Sequence, residues 1–431
     1  MLIEFSVENY RSFKERMTLS MVAARPDKAL PQNVIHGADG RRLDLLRSAA
    51  VFGANASGKS NLLRAMLFAS RFVQSSVGEG ITGQGNIGPA PFKLDLRWAE
   101  RPSAFEFVFL IDGKRYDYGF AADKKRVHEE WLYYYPHGRR RRLFVRTLAD
   151  GGMHTIYGAD WKGERTQIEN MTRPDALYLS VSAKFNHPSA QTVIGWFTEK
   201  FREISWFPAG GGEFAYTCDM ALQDEKSRND ILDMLHCADL GIEDCDIERI
   251  PLQESSVWRR LPEEARTFIL SHGGPEQYVH DVRVRHRAMD AGGRPTTADL
   301  RLGEESDGTQ KMFAIAGPWK YVLDHGCVVV VDELDARLHP SLTKWLIAWF
   351  HSSALNPHGA QLVFATHDDN LLDLELFRRD QIWFTEKDEA GATRLYSLWD
   401  FKRKPRRETN IRRGYLSGRY GAVPLLEDLP S

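Results

Sequence analysis

The sequence predicts an α/β fold in which parallel strands alternate with crossover helices and a compact α+β insertion interrupts them. Three observations lead there. A short apolar run, Ser48–Phe52, enters a glycine-bounded loop and leaves it as an amphipathic helix. A second run, Val328–Val331, is apolar on both faces, as a central parallel strand must be, and ends in two carboxylates. Beyond about residue 300, helix and strand patterns alternate as they do in a parallel sheet with crossovers.

Composition bounds this reading. The chain has 431 residues, 42% hydrophobic and 27% charged, which is globular usage and excludes wholesale disorder. At roughly 150 residues per domain, that length fits about three domains, or one large domain with an insertion. Lys plus Arg total 57 against 59 Asp plus Glu, a net charge of -2. This excludes a surface coated in basic charge but leaves room for a local basic patch. Cys218, Cys237, Cys245 and Cys327 form no C-x-x-C pair and are expected as free thiols of a reducing compartment. The opening MLIEFSVENYRSF alternates like a strand and has no apolar signal core, and the run 327–331 is too short to span a bilayer. A cytoplasmic protein without membrane contact is therefore expected.

The elements follow in order. Ile3, Phe5 and Val7 alternate with Glu4, Ser6 and Glu8, a half-buried strand, and 17–22 forms a second one after the polar turn 11–16. The helix from Lys59 to about Val73 carries Leu62, Leu63, Met66, Leu67 and Ala69 on its apolar face. Gly78, Gly80, Gly83, Gly85 and Gly88 mark a glycine-rich loop. Asp112-Gly113 between the alternating runs 105–111 and 115–121 signals a hairpin, and strands 127–135 and 143–147 continue it. Helices are expected at 189–202 and 224–238, and a strand at 279–285. Helix 309–323, strand 327–332, helix 340–354 and strands 361–366 and 381–384 complete the set. Trp345, Trp349 and Phe350 on the second of these helices read as core or interface residues. There is no repeat period and no sustained heptad run.

The chemistry sits at the strand ends. Gly53-Ala54-Asn55-Ala56-Ser57-Gly58-Lys59-Ser60 matches G-x-x-x-x-G-K-[ST] completely, between a strand and a helix as the motif requires. Its backbone N–H groups would cradle phosphate at the helix N-terminus, with Lys59 on the β- and γ-phosphates and Ser60 on Mg²⁺. Ligands of parallel sheets gather at the carboxyl ends of strands, where Asp332 would hold Mg²⁺ and Glu333 would act as general base. Thr366-His367 ends a third buried strand, from which His367 would reach the γ-phosphate side.

Together these elements resemble the ATPase head of the ABC and SMC-like superfamily, over roughly residues 1–75 and 300–400. The resemblance implies an ABC-type (SMC-like) P-loop ATPase head with a mixed sheet and no coiled-coil arm, binding ATP and Mg²⁺. It assigns Gly53, Asn55, Ser57, Gly58, Lys59, Ser60 and Asn61 to nucleotide binding, Ser60 and Asp332 to the metal, and Lys59, Glu333 and His367 to catalysis. Leu334-Asp335 resembles the D-loop, so Asp335 joins the nucleotide set. Ser306-Asp307-Gly308-Thr309-Gln310 resembles the signature, with Asp307 where the family has glycine; Ser306 and Gly308 carry over. Arg11 and Ser12, in Asn9-Tyr10-Arg11-Ser12-Phe13, resemble the N-F-R-S turn of SMC-like and RecF-like heads, near the nucleotide. A Q-loop glutamine is not placed by the pattern: Gln74 and Gln84 both fall unsuitably. In this family two heads pair, each signature closing over the other's ATP, so a homodimer or higher homo-oligomer is implied.

The 247 positions from Lys59 to Ser306 carry hairpin signals and no heptads, so a compact domain fills them. The expected division is 1–78, inserted domain 79–300, second lobe 301–400 and a basic tail 401–431. The whole pattern is closest to the bacterial AAA family ATP-binding proteins of the RloA and abortive-infection group. The N-terminal string, Pro91-Phe92-Lys93-Leu94 and Gly418-Arg419-Tyr420-Gly421-Ala422-Val423-Pro424 carry that likeness. It implies a phage-defence ATPase that controls a separately encoded effector, a nuclease or toxin, since only about 60 residues follow His367. A RecF-like repair ATPase and an ATP-assembled scaffold with little turnover are the alternatives. Lys402, Arg403, Lys404, Arg406, Arg407, Arg412 and Arg413 fall within twelve positions and suit nucleic-acid phosphates or a protein partner equally. Arg139-Arg140-Arg141-Arg142, beside Tyr133, Tyr134, Tyr135 and Phe144, suits base stacking or an ordinary strand with one wet face.

Overall fold

The computed structural model describes residues 1–78, 88–205, 211–272, 277–402, 405 and 409–424. Gly80, Gly83, Gln84 and Gly85 of the glycine-rich loop, and Arg403, Lys404, Arg406 and Arg407 of the basic cluster, lie outside the described residues. The chain forms two compact units. One comprises Met1–Glu203, Val322–Ala336 and the chain from Thr343 onward; the other comprises Ile204–Tyr321 and Arg337–Leu342.

The first unit holds two sheets. The parallel one runs Phe201–Glu203, Val328–Val331, Gln361–Ala365, Ser48–Phe52, Ile382–Lys387, with Thr393–Ser397 antiparallel at its edge. This is the mixed sheet the sequence predicts. The other sheet is antiparallel, in the order Gly152–Tyr157, Arg141–Ala149, Val127–Tyr135, Lys114–Ala122, Ser103–Ile111, Leu2–Glu8, Met17–Ser20. Helix Lys59–Ser75 touches both sheets. That contact explains why its apolar surface is wide: Leu62, Leu63, Ala65, Met66, Ala69 and Val73 are buried in one core with Phe5, Phe105 and Phe120 of one sheet and Val328, Val363 and Ala365 of the other. Asp112 and Gly113 take φ of 47° and 70°, the left-handed pair that a two-residue hairpin turn requires.

The division of the chain differs from the expected one. Residues 103–157 are no part of an inserted domain. Leu2–Glu8 pairs directly with Ser103–Ile111, Phe5 opposite Phe107 and Val7 opposite Phe105, so these strands extend the N-terminal sheet. The first strand has an apolar face to cover, and its partner lies about a hundred residues away, a pairing no local pattern reveals. The helix expected at 189–202 also stops early. Pro188–Gly195 passes through a π-helical turn, Trp196–Lys200, into strand Phe201–Glu203, which joins the parallel sheet beside Val328–Val331. The segment 409–424 is no free tail either. Helix Ile411–Leu416 carries Tyr415 and is followed by Tyr420, both stacked on Phe384, and the Tyr396 hydroxyl donates to the Tyr420 carbonyl.

The second unit is the compact insertion, starting at Ile204 rather than at 79. Helices Gly212–Gln223 and Glu225–Cys237 accompany the antiparallel strands Ile242–Pro251, Tyr278–Met289 and Pro295–Arg301. The signature residues Ser306 and Gly308 belong to this unit, at the start of helix Asp307–His325. Pro318 inside that helix cannot bond the Ala314 carbonyl; the Thr217 hydroxyl donates to that carbonyl instead, at 2.7 Å. No helix among the described residues is long and apolar enough to cross a membrane. All four cysteines are free.

Candidate nucleotide site

Strand register builds the site. Val331 pairs with Phe364, Ala365 with Val51, and Phe384 with Phe52. Asp332, Thr366 and Gly53 therefore leave the sheet side by side at one carboxyl edge, next to Thr385 of the adjoining strand, at the edge where such sheets bind ligands. Beneath it, the start of the central strand is fixed by a buried polar network. His351 bonds Ser48 Oγ at 2.8 Å, and Gln381 donates to the same oxygen at 2.8 Å.

The phosphate loop takes backbone shapes that side chains resist. Gly53 has φ 154°, Ala56 61° and Gly58 117°. Helix Lys59–Ser75 then starts with no side-chain cap, so its first N–H groups are available to an anion. Lys59 is 4% exposed, and its ammonium donates to the carbonyls of Gly53 at 2.7 Å and Ala54 at 3.1 Å. Burial pulls its pKa down, and the carboxylates of Asp332, Asp335 and Glu333 oppose that pull.

Ser60 Oγ donates to Asp332 Oδ1 at 3.0 Å. A hydroxyl at the helix start and a carboxylate at a strand end fit Mg²⁺, which takes one or two protein oxygens and completes its shell with phosphate and water. Among the described residues no group of three His, Cys, Asp or Glu side chains could hold a metal alone. Glu333 is exposed and turns the chain with φ 53°, returning the Leu334 N–H to the Ala365 carbonyl at 3.3 Å. Asp335 accepts the His367 N–H through Oδ2 at 3.4 Å, while its Oδ1 is buried without a partner. An orphaned carboxylate oxygen beside Lys59 and Asp332 suits a site completed by a ligand. The His367 side chain is exposed.

The structure thus brings together Gly53, Ser57, Gly58, Lys59, Ser60, Asn61, Asp332, Glu333, Asp335 and His367, with Asn55 exposed within the loop. Arg11 stands at a turn with φ 52°; its N–H donates to Ala90 and its side chain leans on Tyr10. Its neighbour Ser12 is the residue tied to the loop, accepting from Asn61 Nδ2 at 2.8 Å and lying 2.8 Å from Thr393 Oγ1. Gln74 bonds Ser70 Oγ and the Phe197 carbonyl, which makes it a structural residue.

In the second unit, Ser306 Oγ accepts the Thr309 N–H at 3.1 Å and so caps the signature helix. A Cβ on Gly308 would come within 2.9 Å of the Arg337 carbonyl. Asp307, the departure from the usual glycine, ion-pairs with Arg337 and suits the positive end of the helix. In the other arginine run, Arg140 stacks on Tyr133 at 3.6 Å and Arg141 pairs with Asp160 at 3.1 Å, so both are engaged within the chain.

Thr385 and Thr393 escaped the sequence reading. Ser57 Oγ and Thr385 Oγ1 bond at 2.7 Å, and Thr393 Oγ1 donates to the Ser57 carbonyl at 2.8 Å. Only the sheet pairing places them at the loop; nothing in their local sequence signals it.

Fold, loop and acidic strand end together define a P-loop nucleotide-binding site of the ATPase type. A family model described as "AAA domain, putative AbiEii toxin, Type IV TA system" matches residues 48–154 and 239–373. The two stretches hold the phosphate loop and the Asp332 to His367 region, and together they cover more than half the chain. The chain belongs to this family. No curated protein matches it. Similar solved structures include the SMC head domain from Thermotoga maritima, 11% identical over 92% of this chain and 98% of that one, TM-score 0.39. Another is cbiO1 from Clostridium perfringens, part of the ABC transporter complex cbiONQ, 11% identical over 98% of each chain, TM-score 0.33. The family assignment rests on the sequence match.

Proposed function

We propose that this chain binds and hydrolyses Mg²⁺-ATP, and that ATP-dependent pairing of two copies controls a separately encoded toxin or nuclease in phage defence. The observation that carries the first part is the convergence of Lys59, Ser60, Asp332 and the buried, unpartnered Asp335 Oδ1 on one sheet edge. The family description, which names a putative toxin and a toxin–antitoxin system, supports a defence setting for the second part. Lys59 and the loop amides bind the phosphates, and Ser60 with Asp332 would hold the metal, which supplies charge neutralisation there. Glu333 takes the proton from the attacking water, and His367 orients the γ-phosphate side. Ser306 and Gly308 of one copy act on the nucleotide of the other.

Glu333→Gln is the test. With Mg²⁺-ATP it should bind nucleotide, release phosphate slowly, and accumulate as a dimer by light scattering. A variant that stays monomeric at saturating ATP refutes the pairing. A wild-type chain that releases no phosphate above background refutes the hydrolysis.

A further inference from the structure

The edge hairpin formed by Ile382–Lys387 and Thr393–Ser397 lies against the outer side of the phosphate loop, and its contacts form a chain of hydroxyls. Asn61 Nδ2 donates to Ser12 Oγ; Ser12 Oγ lies 2.8 Å from Thr393 Oγ1; Thr393 donates to the Ser57 carbonyl; Ser57 Oγ bonds Thr385 Oγ1. The Thr393 N–H also donates to the Ser12 carbonyl at 2.7 Å. Thr393 Oγ1 is the donor that reaches both Ser12 Oγ and the Ser57 carbonyl at 2.8 Å, and its one proton serves one of them at a time.

Two glycines of the loop are shaped by this hairpin as much as by phosphate. A Cβ on Gly53 would lie 2.4 Å from the Thr385 carbonyl, and one on Gly58 would lie 2.3 Å from Thr393 Oγ1. The hairpin therefore fills the space where side chains would stand and bonds the residue between the two glycines. A loop of amide N–H groups aimed inward has nothing to hold it open unless its outer side is tied. Here Ser57 is tied twice, while the inner side is spanned by Lys59 on the Gly53 and Ala54 carbonyls.

We propose that Thr393, assisted by Thr385 and Ser12, is a positioning residue that holds the phosphate loop in its phosphate-binding shape before nucleotide arrives. The proposal rests on the ATP-binding reading of the site. A pre-shaped loop pays no ordering cost on binding, so the effect falls on affinity rather than on the chemical step.

The test compares Thr393→Val, Thr393→Ser and Ser12→Ala in the full chain, by titration with a fluorescent ATP analogue, steady-state turnover and thermal melting. Thr393→Val should weaken nucleotide binding and raise KM about tenfold, as loss of one or two hydrogen bonds to the loop implies, with kcat kept within about twofold. Thr393→Ser, which keeps the hydroxyl, should return affinity to within about twofold of wild type. Ser12→Ala, which removes a link without touching the Thr393 packing, should weaken binding a few-fold. Wild-type affinity in a folded Thr393→Val, or a Thr393→Ser as impaired as the valine variant, overturns the proposal. If Lys59→Ala loses ATP while Thr393→Val binds normally, the positioning role falls and the nucleotide site stands; if the wild type binds no nucleotide, both fall.

Discussion

The two regions that carry chemical motifs are built in opposite ways. In the first unit the phosphate loop is anchored by the buried Ser57, Gly58 and Lys59, cross-linked by hydroxyls and seated at the ends of parallel strands whose cores exclude water. In the second, Ser306 is an exposed cap on a helix, and the nearby strand Pro295–Arg301 is exposed along its whole length. The first region has an inward geometry complete down to its tethered lysine. The second offers a helix end outward, as a surface that acts on something else would. Nucleotide binding by a single copy should therefore belong to the first region alone, and the second should matter when turnover or pairing is measured.

Lys59→Ala would break the comparison most directly. It should weaken ATP binding about 100-fold by loss of charge-assisted bonds, read by calorimetric titration. Glu333→Gln should lower phosphate release by about 100-fold or more, the range for removing a general base, with ATP affinity within about threefold. Gly58→Ala forces a side chain onto φ 117° and into Thr393. It should cost about 1–3 kcal/mol and lower the melting temperature, along with ATP affinity. Ser306→Ala should cost about 1 kcal/mol through its cap and reduce ATP turnover while leaving nucleotide affinity at the wild-type value. If affinity falls as well, the separation of the two regions is wrong.

A further effect concerns pH. Burial of His351 against Ser48 lowers its pKa from the ordinary 6.5 to about 3. Between those values the unfolded chain holds the proton and the folded one does not, so stability falls as pH drops below about 6.5 and flattens near 3. Denaturant unfolding at pH 7 and pH 5 should show the loss, and His351→Gln should reduce its slope. An unchanged slope would mean that other groups govern acid stability.

Much of the site was legible because its signals are local. The glycine spacing before Lys59, the four valines before Asp332 and the buried run before Thr366-His367 each read as a strand ending in chemistry. The hairpin at Asp112-Gly113 was equally legible, since only left-handed residues close such a turn. What failed to show was anything set by pairing across distance. Strand Phe201–Glu203 was hidden in a helical pattern because its three residues gain their place only from Val328–Val330. Residues 103–157 read as an insertion because their partner strand begins at Leu2. Thr393 gave no local signal, and no strand was expected around it.

By itself, then, the sequence determined the kind of site and the residues gathered at it, because a glycine-bounded phosphate loop and an acidic strand end are written at fixed local spacings. Tertiary structure alone decided where the units divide, which strands complete each sheet, and which side chains hold the loop open. Those depend on register between segments up to several hundred residues apart, and register is chosen by burial of whole faces rather than by any neighbouring residue.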